Sequence, residues 1–137
     1  MGAWDSGPFD NDDAADFVGD TSELTDPHIV TAKLGDALLA VTASDGYIEA
    51  PEMSPAVAAA AIVAILGGSD APTPSALDQF WFDPVRLLPS NQLRSEAARV
   101  FTRALEATDN EWFELWADAG QVDDVRARLA SYSSAFT

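Results

Sequence analysis

The sequence contains no cysteine. That excludes a disulfide framework, a thiol nucleophile and any cysteine-ligated zinc or iron–sulfur centre. It holds one histidine, His28, and one lysine, Lys33, so most imidazole-based metal and acid–base arrangements are excluded too. Glycine-rich phosphate loops and the Gly-x-Ser-x-Gly elbow of serine hydrolases are also missing. Only carboxylates and hydroxyls remain for chemistry. The expectation is therefore a chain without catalytic residues or cofactor, and not an enzyme. The longest apolar run, residues 56–66, has 11 residues, well short of the roughly 20 that span a bilayer. The opening stretch has neither a basic region nor an apolar one of the secretory type. A cytoplasmic protein is expected by default, with no membrane role.

What is present is acid. The 137 residues carry 23 acidic and 7 basic side chains, for a formal net charge of -16. Residues 1–85 hold 15 of the acids against Lys33 alone, whereas residues 86–137 hold 8 acids and six arginines. Such a surface repels nucleic acid and anionic membranes and attracts a basic protein. Plain solubility is the simpler explanation of the same charge. With 47% hydrophobic residues, the chain can bury a core the size of one domain. Alanine occurs 25 times, and six of the seven bases are arginine. That usage suggests a GC-rich bacterial genome.

Capping residues and prolines mark the helices. Asp26-Pro27, Ser54-Pro55, Thr73-Pro74 and Asp83-Pro84 each set a side-chain acceptor before a proline, the arrangement favoured at helix starts. A short helix is predicted over 12–20, with Ala14, Ala15, Phe17 and Val18 on its apolar side. A second runs over 27–43 with Val30, Leu34, Leu38 and Val41 in one stripe. A third, over 55–66, is apolar all round and must be the buried centre. Gly67-Gly68 ends it. Residues 69–90 are irregular, and Phe80, Trp81 and Phe82 are expected to plug the core. An amphipathic helix follows over 90–107, with Leu93, Ala97, Val100, Phe101, Ala104 and Leu105 inside. Thr108 and Glu111 have capping-box spacing for a helix carrying Trp112, Phe113, Leu115 and Trp116, closed by Gly120. The last helix carries Val122, Val125, Leu129 and Tyr132 at near-heptad spacing, with Asp124 and Arg128 as an i,i+4 pair. Tyr47-Ile48-Glu49 is too short to start a sheet. The expected fold is an all-α, compact single-domain bundle of about five to seven helices over 1–137. Residues 1–10 form an ordered N-terminal arm tied down by Trp4 and Phe9.

The opening MGAWDSGPFDNDDAADFVGD is the most distinctive stretch. It resembles the start of the bacterial domain-of-unknown-function family 4259, whose members begin Met-Gly-x-Trp-Gly and continue with a Gly-x-Phe step and Asn-Asp-Asp-Ala. Met1, Gly2, Trp4, Gly7, Phe9, Asn11, Asp12, Asp13, Ala14 and Asp16 fit that pattern, while Asp5 stands where the family has glycine. The segment SDGYIEAPE before an alanine-rich helix and the closing tryptophans with VDDVRARL are family-like as well. The resemblance implies membership and brings no catalytic residue with it.

Candidate sites follow from the acids. Asp10, Asp12, Asp13 and Asp16, with Asn11, form the densest set of oxygen ligands and are candidates for a metal such as calcium or magnesium. They lack the spacing of an EF-hand loop, and helix capping explains the same residues. Glu49 and Glu52 could share a face, but the Glu-x-x-His partner of a di-iron bundle is absent. His28 has no nucleophile nominated beside it. Arg94, Arg99 and Arg103 could clamp an anion or pair with the acidic first half. Trp112 and Trp116 fit core packing, with an exposed hot spot as the alternative. The function expected is an immunity- or antitoxin-like module that neutralises a basic protein. Its face would be Asp12, Asp13, Asp16, Asp20, Glu23, Asp26, Glu49 and Glu52, with Asp10 beside them. The alternative is a metal- or small-ligand-binding domain built on the 10–16 cluster.

Overall fold

A helix that is apolar on every side must be covered on every side, and the chain is arranged around one. In the computed structural model, which describes residues 7–74, 77 and 88–136, six α-helices occur among the described residues. They are α1 (Asp12–Ser22), α2 (Pro27–Thr42), α3 (Ala50–Leu66), α4 (Asn91–Ala104), α5 (Glu111–Asp118) and α6 (Val122–Ser133), followed by a 3₁₀ turn at Ser134–Phe136. The protein is an all-α bundle, as its periodicities predict. Trp4, the Phe80-Trp81-Phe82 plug and the Asp83-Pro84 pair lie outside the described residues. Among the described residues no helix is long and apolar enough to cross a membrane.

Helix α3 is the axis. Met53, Ser54 and every residue from Ala56 to Ala64 are buried, and α1, α2, α4, α5 and α6 all pack on it. Its alanines let those neighbours approach closely, and a larger side chain there would cost about 1–3 kcal/mol of overpacking. The predicted inner faces agree with the structure: Val30, Leu34, Leu38 and Val41 on α2, and Leu93, Ala97, Val100, Phe101 and Ala104 on α4, are buried. On α6, Val125, Leu129 and Tyr132 are buried. Ala15 is the exception on α1, being exposed while Thr21 is buried.

Two helices end in the same device. At α3 the Gly68 N–H donates to the Ile65 carbonyl and the Ser69 N–H to that of Ala64. At α5 the Gly120 and Gln121 N–H groups do the same toward Ala117 and Trp116. Gly68 (φ 106°) and Gly120 (φ 70°) sit in the left-handed region that this closure needs.

Three helix boundaries differ from the sequence reading. α3 begins at Ala50, five residues before Pro55, so Ser54-Pro55 is no helix start and Glu52 lies in the first turn rather than in a loop. Ser54 is buried within the helix and its hydroxyl donates to Asn11 Oδ1. The Ala50 N–H, which a cap must satisfy, is part-buried and donates to Glu111 Oε1 at 2.8 Å, 61 residues away. Glu111 thus caps α3 rather than completing a box with Thr108. The N-cap of α5 is Asn110, whose Oδ1 accepts from the Phe113 N–H at 3.0 Å.

Asn110 also explains why α4 stops at Ala104. Its Nδ2 lies within 3.0 Å of the carbonyls of Arg103, Ala104 and Glu106. One fully buried amide therefore closes α4 and opens α5. Around it, the Ile48 N–H donates to Asp109 O and the Glu111 N–H to Ile48 O, both at 3.0 Å. This parallel bridge pins the α2–α3 connection to the α4–α5 connection, and Asp109 adopts φ 53° to allow it.

The two ends of the Asn110 amide are separable by mutation. Asn110→Ala removes the cap and leaves buried carbonyls without a donor, and should destabilise the fold by about 3 kcal/mol in urea denaturation. Asn110→Asp keeps an acceptor for Phe113 but sets a carboxylate against three carbonyl oxygens. It should be at least as damaging; an Asp variant as stable as the wild type would refute the clasp.

Candidate functional site

The turn at residues 7–10 and the start of α1 are built by residues of the opening motif. The Gly7 N–H donates to Asp10 Oδ2 at 3.1 Å, and the Asp10 N–H returns to Gly7 O at 3.2 Å. A Cβ on residue 7 would strike the Asp10 carboxylate and push it off the hydrogen bond to the residue 7 N–H. Phe9 packs edge-on against the Tyr132 ring, with centroids 5.9 Å apart at 85°. Asn11 is the N-cap of α1, and its Oδ1 accepts from the Ala14 N–H at 2.9 Å as well as from Ser54. The Gly-Pro-Phe-Asp-Asn run is therefore a fastening for α1.

With α1 fixed, its outer face is a ridge of exposed acids, Asp12, Asp13, Asp16 and Asp20. Asp12 and Asp13 sit in the first turn, where the helix dipole favours a negative charge. Two depressions flank the ridge. One is a cleft of about 350 Å³ where the N-terminal turns of α1, α3 and α5 meet. Asn11, Asp12 and Asp13 line it from α1, Ala50, Pro51 and Ser54 from α3, and Glu111, Trp112, Leu115 and Trp116 from α5. Both tryptophans are buried, with rings 5.9 Å apart at 72°, so they are core residues that also line the cleft. The other is a shallower groove of about 690 Å³ between α1 and α2. Asp13, Asp16, Asp20 and Asp36 surround Lys33 there, and Lys33 Nζ stands 4.9 Å from the centre of the Phe17 ring. Ile29, half exposed, lies on its rim.

The other predicted acids are placed elsewhere. Asp10 is held by Gly7 and lies 3.9 Å from Arg128. Glu23 is the C-cap of α1, and Asp26 caps α2 by accepting from the His28 N–H at 2.9 Å. Glu49 is the N-cap position of α3 and, like Glu52, lines neither depression. Among the described residues no three Asp, Glu or His side chains converge into a set that could hold a metal ion. His28 is exposed.

Two of the arginines serve carbonyls, while Arg126 lies 3.5 Å from Asp123 and Arg128 3.9 Å from Asp10 of the acidic half. Arg103 reaches Asp109 O at 2.7 Å and Thr108 O at 2.9 Å, with Glu106 at 3.5 Å, and Arg94 reaches Ala135 O at 3.1 Å. Glu111 and Asp36 are the site residues that sequence reasoning missed. Glu111 is masked by its apparent capping-box role, whereas Asp36 is visible only as the i+3 neighbour of Lys33.

Both tyrosines are held protonated. The Tyr47 hydroxyl donates to Glu114 at 2.8 Å, and that bond, ahead of partial burial and the nearby carboxylates, pushes its pKa up to about 12. Burial, reinforced by Asp10, pushes Tyr132 up to about 12 as well; its hydroxyl donates to Pro72 O at 2.5 Å. A folded-state pKa above the ordinary value gives a stabilisation that is complete below about pH 10 and lost as pH rises through 12. Phenolate absorbance should thus stay flat through pH 10 in the folded protein, and stability should fall between pH 10 and 12. Half-ionised tyrosine at pH 10 with the helices intact would contradict these bonds.

Neither a curated protein nor a solved structure matches the chain. A family model described as a domain of unknown function, DUF4259, matches residues 2–128. The motif that fastens α1 and the clefts on either side of it are therefore those of a member of that family, to which this chain belongs.

Proposed function

We propose that the protein is a non-enzymatic binding module that captures a basic protein on the α1 face, in the manner of an immunity or antitoxin protein. The observation that carries this reading is the exposed ridge of Asp12, Asp13, Asp16 and Asp20 with a depression on either side. Isolated surface charges contribute little affinity, because water and salt screen them. They steer encounter and orient the partner instead. Affinity then has to come from groups that enter a depression and lose water there. A ridge between two recesses provides both parts. Of the wider acidic face predicted from sequence, Glu23, Asp26, Glu49 and Glu52 fall outside the recesses and would contribute only to the long-range field. The metal-binding alternative is less well supported, since Asp10 is committed to Gly7 and Arg128.

The test is a capture from the host's own lysate with two baits, the wild type and the D12N/D13N/D16N/D20N variant. A basic protein should be retained stoichiometrically by the wild type at low salt and lost from the variant. With the purified partner, the association rate should fall by roughly tenfold or more between low and high salt, with a smaller change in dissociation. An acidic partner, equal retention by both baits, or no retained protein would refute the reading.

A further inference from the structure

We infer that the cleft between α1, α3 and α5 is the receptor for an arginine side chain presented by the basic partner; this rests on the reading above and names what that partner inserts. The cleft is first an apolar recess. Pro51, Leu115 and Trp116 form part of its wall. At about 350 Å³ it stands at the low end of ligand cavities, which run roughly 300–1,000 Å³. That is room for one long side chain and some water, and the acidic lining disfavours the phosphates of a nucleotide.

Its charge is of one sign. Asp12 and Asp13 come from α1 and Glu111 from α5, and among the described residues no basic one lines the cleft. Glu111 is the informative member. It is half-buried, and its Oε1 is occupied by the Ala50 N–H. Among the described residues no donor meets its Oε2. A half-buried carboxylate whose second oxygen is open to solvent favours a cation. Carboxylates on the rim disfavour an anion or a purely apolar ligand, and no three of the described acids converge on a metal position.

Among protein cations the arrangement suits arginine over lysine. Its methylenes can cover the apolar wall at Pro51 and Leu115 while its planar head stays among the carboxylates of the rim. Its five donors reach carboxylates supplied by two different helices, which the compact ammonium of lysine does less well.

The experiment is a nuclear magnetic resonance titration of the full chain with Ac-Gly-Arg-Gly-amide, its lysine counterpart and its citrulline counterpart, which is neutral and nearly isosteric. The arginine peptide should shift the indole N–H signals of Trp112 and Trp116 and the amide of Ala50. It should bind about tenfold more tightly than the citrulline peptide, and more tightly than the lysine peptide. Glu111→Gln keeps an oxygen for the Ala50 N–H, so the fold is retained, but it should weaken arginine binding about tenfold. Unmoved indole signals, citrulline binding equally well, or indifference to Glu111→Gln would each overturn the arginine receptor. Agmatine binding more tightly than the peptide would overturn a protein-borne source. If the peptide instead shifts only the amides of Asp16 and Asp20, the cleft inference fails while capture of a basic partner on the ridge stands. If lysate capture fails while the arginine peptide still enters the cleft, the failure belongs to the partner reading.

Discussion

Everything in this fold answers to the apolar circumference of α3. A helix with no polar side can be kept from water only by neighbours all round it, and α1, α2, α4, α5 and α6 each bury a stripe against it. Alanine makes this possible. Four consecutive alanines, Ala58 to Ala61, are fully buried, and they lose no side-chain entropy on burial. The driving force comes from the larger apolar groups that the neighbours bring, such as Leu34, Leu38 and Leu129. Each is worth roughly 1.5–3 kcal/mol when taken out of water.

Burial on that scale leaves the helix ends as the difficult places, because unpaired N–H and carbonyl groups there are costly away from water. The chain meets this by lending caps between helices. Asn110 serves α4 and α5, Glu111 serves α3, and Asn11 serves α1 while accepting from Ser54 on α3. The N-terminal ends of α1, α3 and α5 capped in this way are those that frame the cleft, so the shape of the recess and the stability of the bundle depend on the same hydrogen bonds.

Much of this architecture is legible in the sequence, for a physical reason. Helical periodicity is a local property, and the stripes on α2, α4 and α6 fall where their spacing puts them. Glycine closures are local too, and Gly68 and Gly120 act where predicted. The reading fails where the partner is distant in sequence. Ser54 before Pro55 looks like a cap, yet its hydroxyl belongs to Asn11, 43 residues earlier. Thr108 with Glu111 looks like a capping box, yet Glu111 is committed to Ala50. The site suffers similarly. The acids of α1 can be picked out from the sequence, but their arrangement as a ridge between two recesses depends on what α2, α3 and α5 bring alongside.

Lys33 stands over the ring of Phe17 in the groove beside α1, and it is the only lysine in the chain. The protein thus has a single side-chain amine, and that amine lies on the acidic face. Any amine-directed modification, from acetylation to attachment of another polypeptide, has one side-chain address. Acylation there would remove the sole positive charge among Asp13, Asp16, Asp20 and Asp36. It would deepen the negative potential of the groove and remove the cation from the face of the Phe17 ring. A reporter dye attached through the same nitrogen would sit beside the ridge, where it could sense an arriving partner directly.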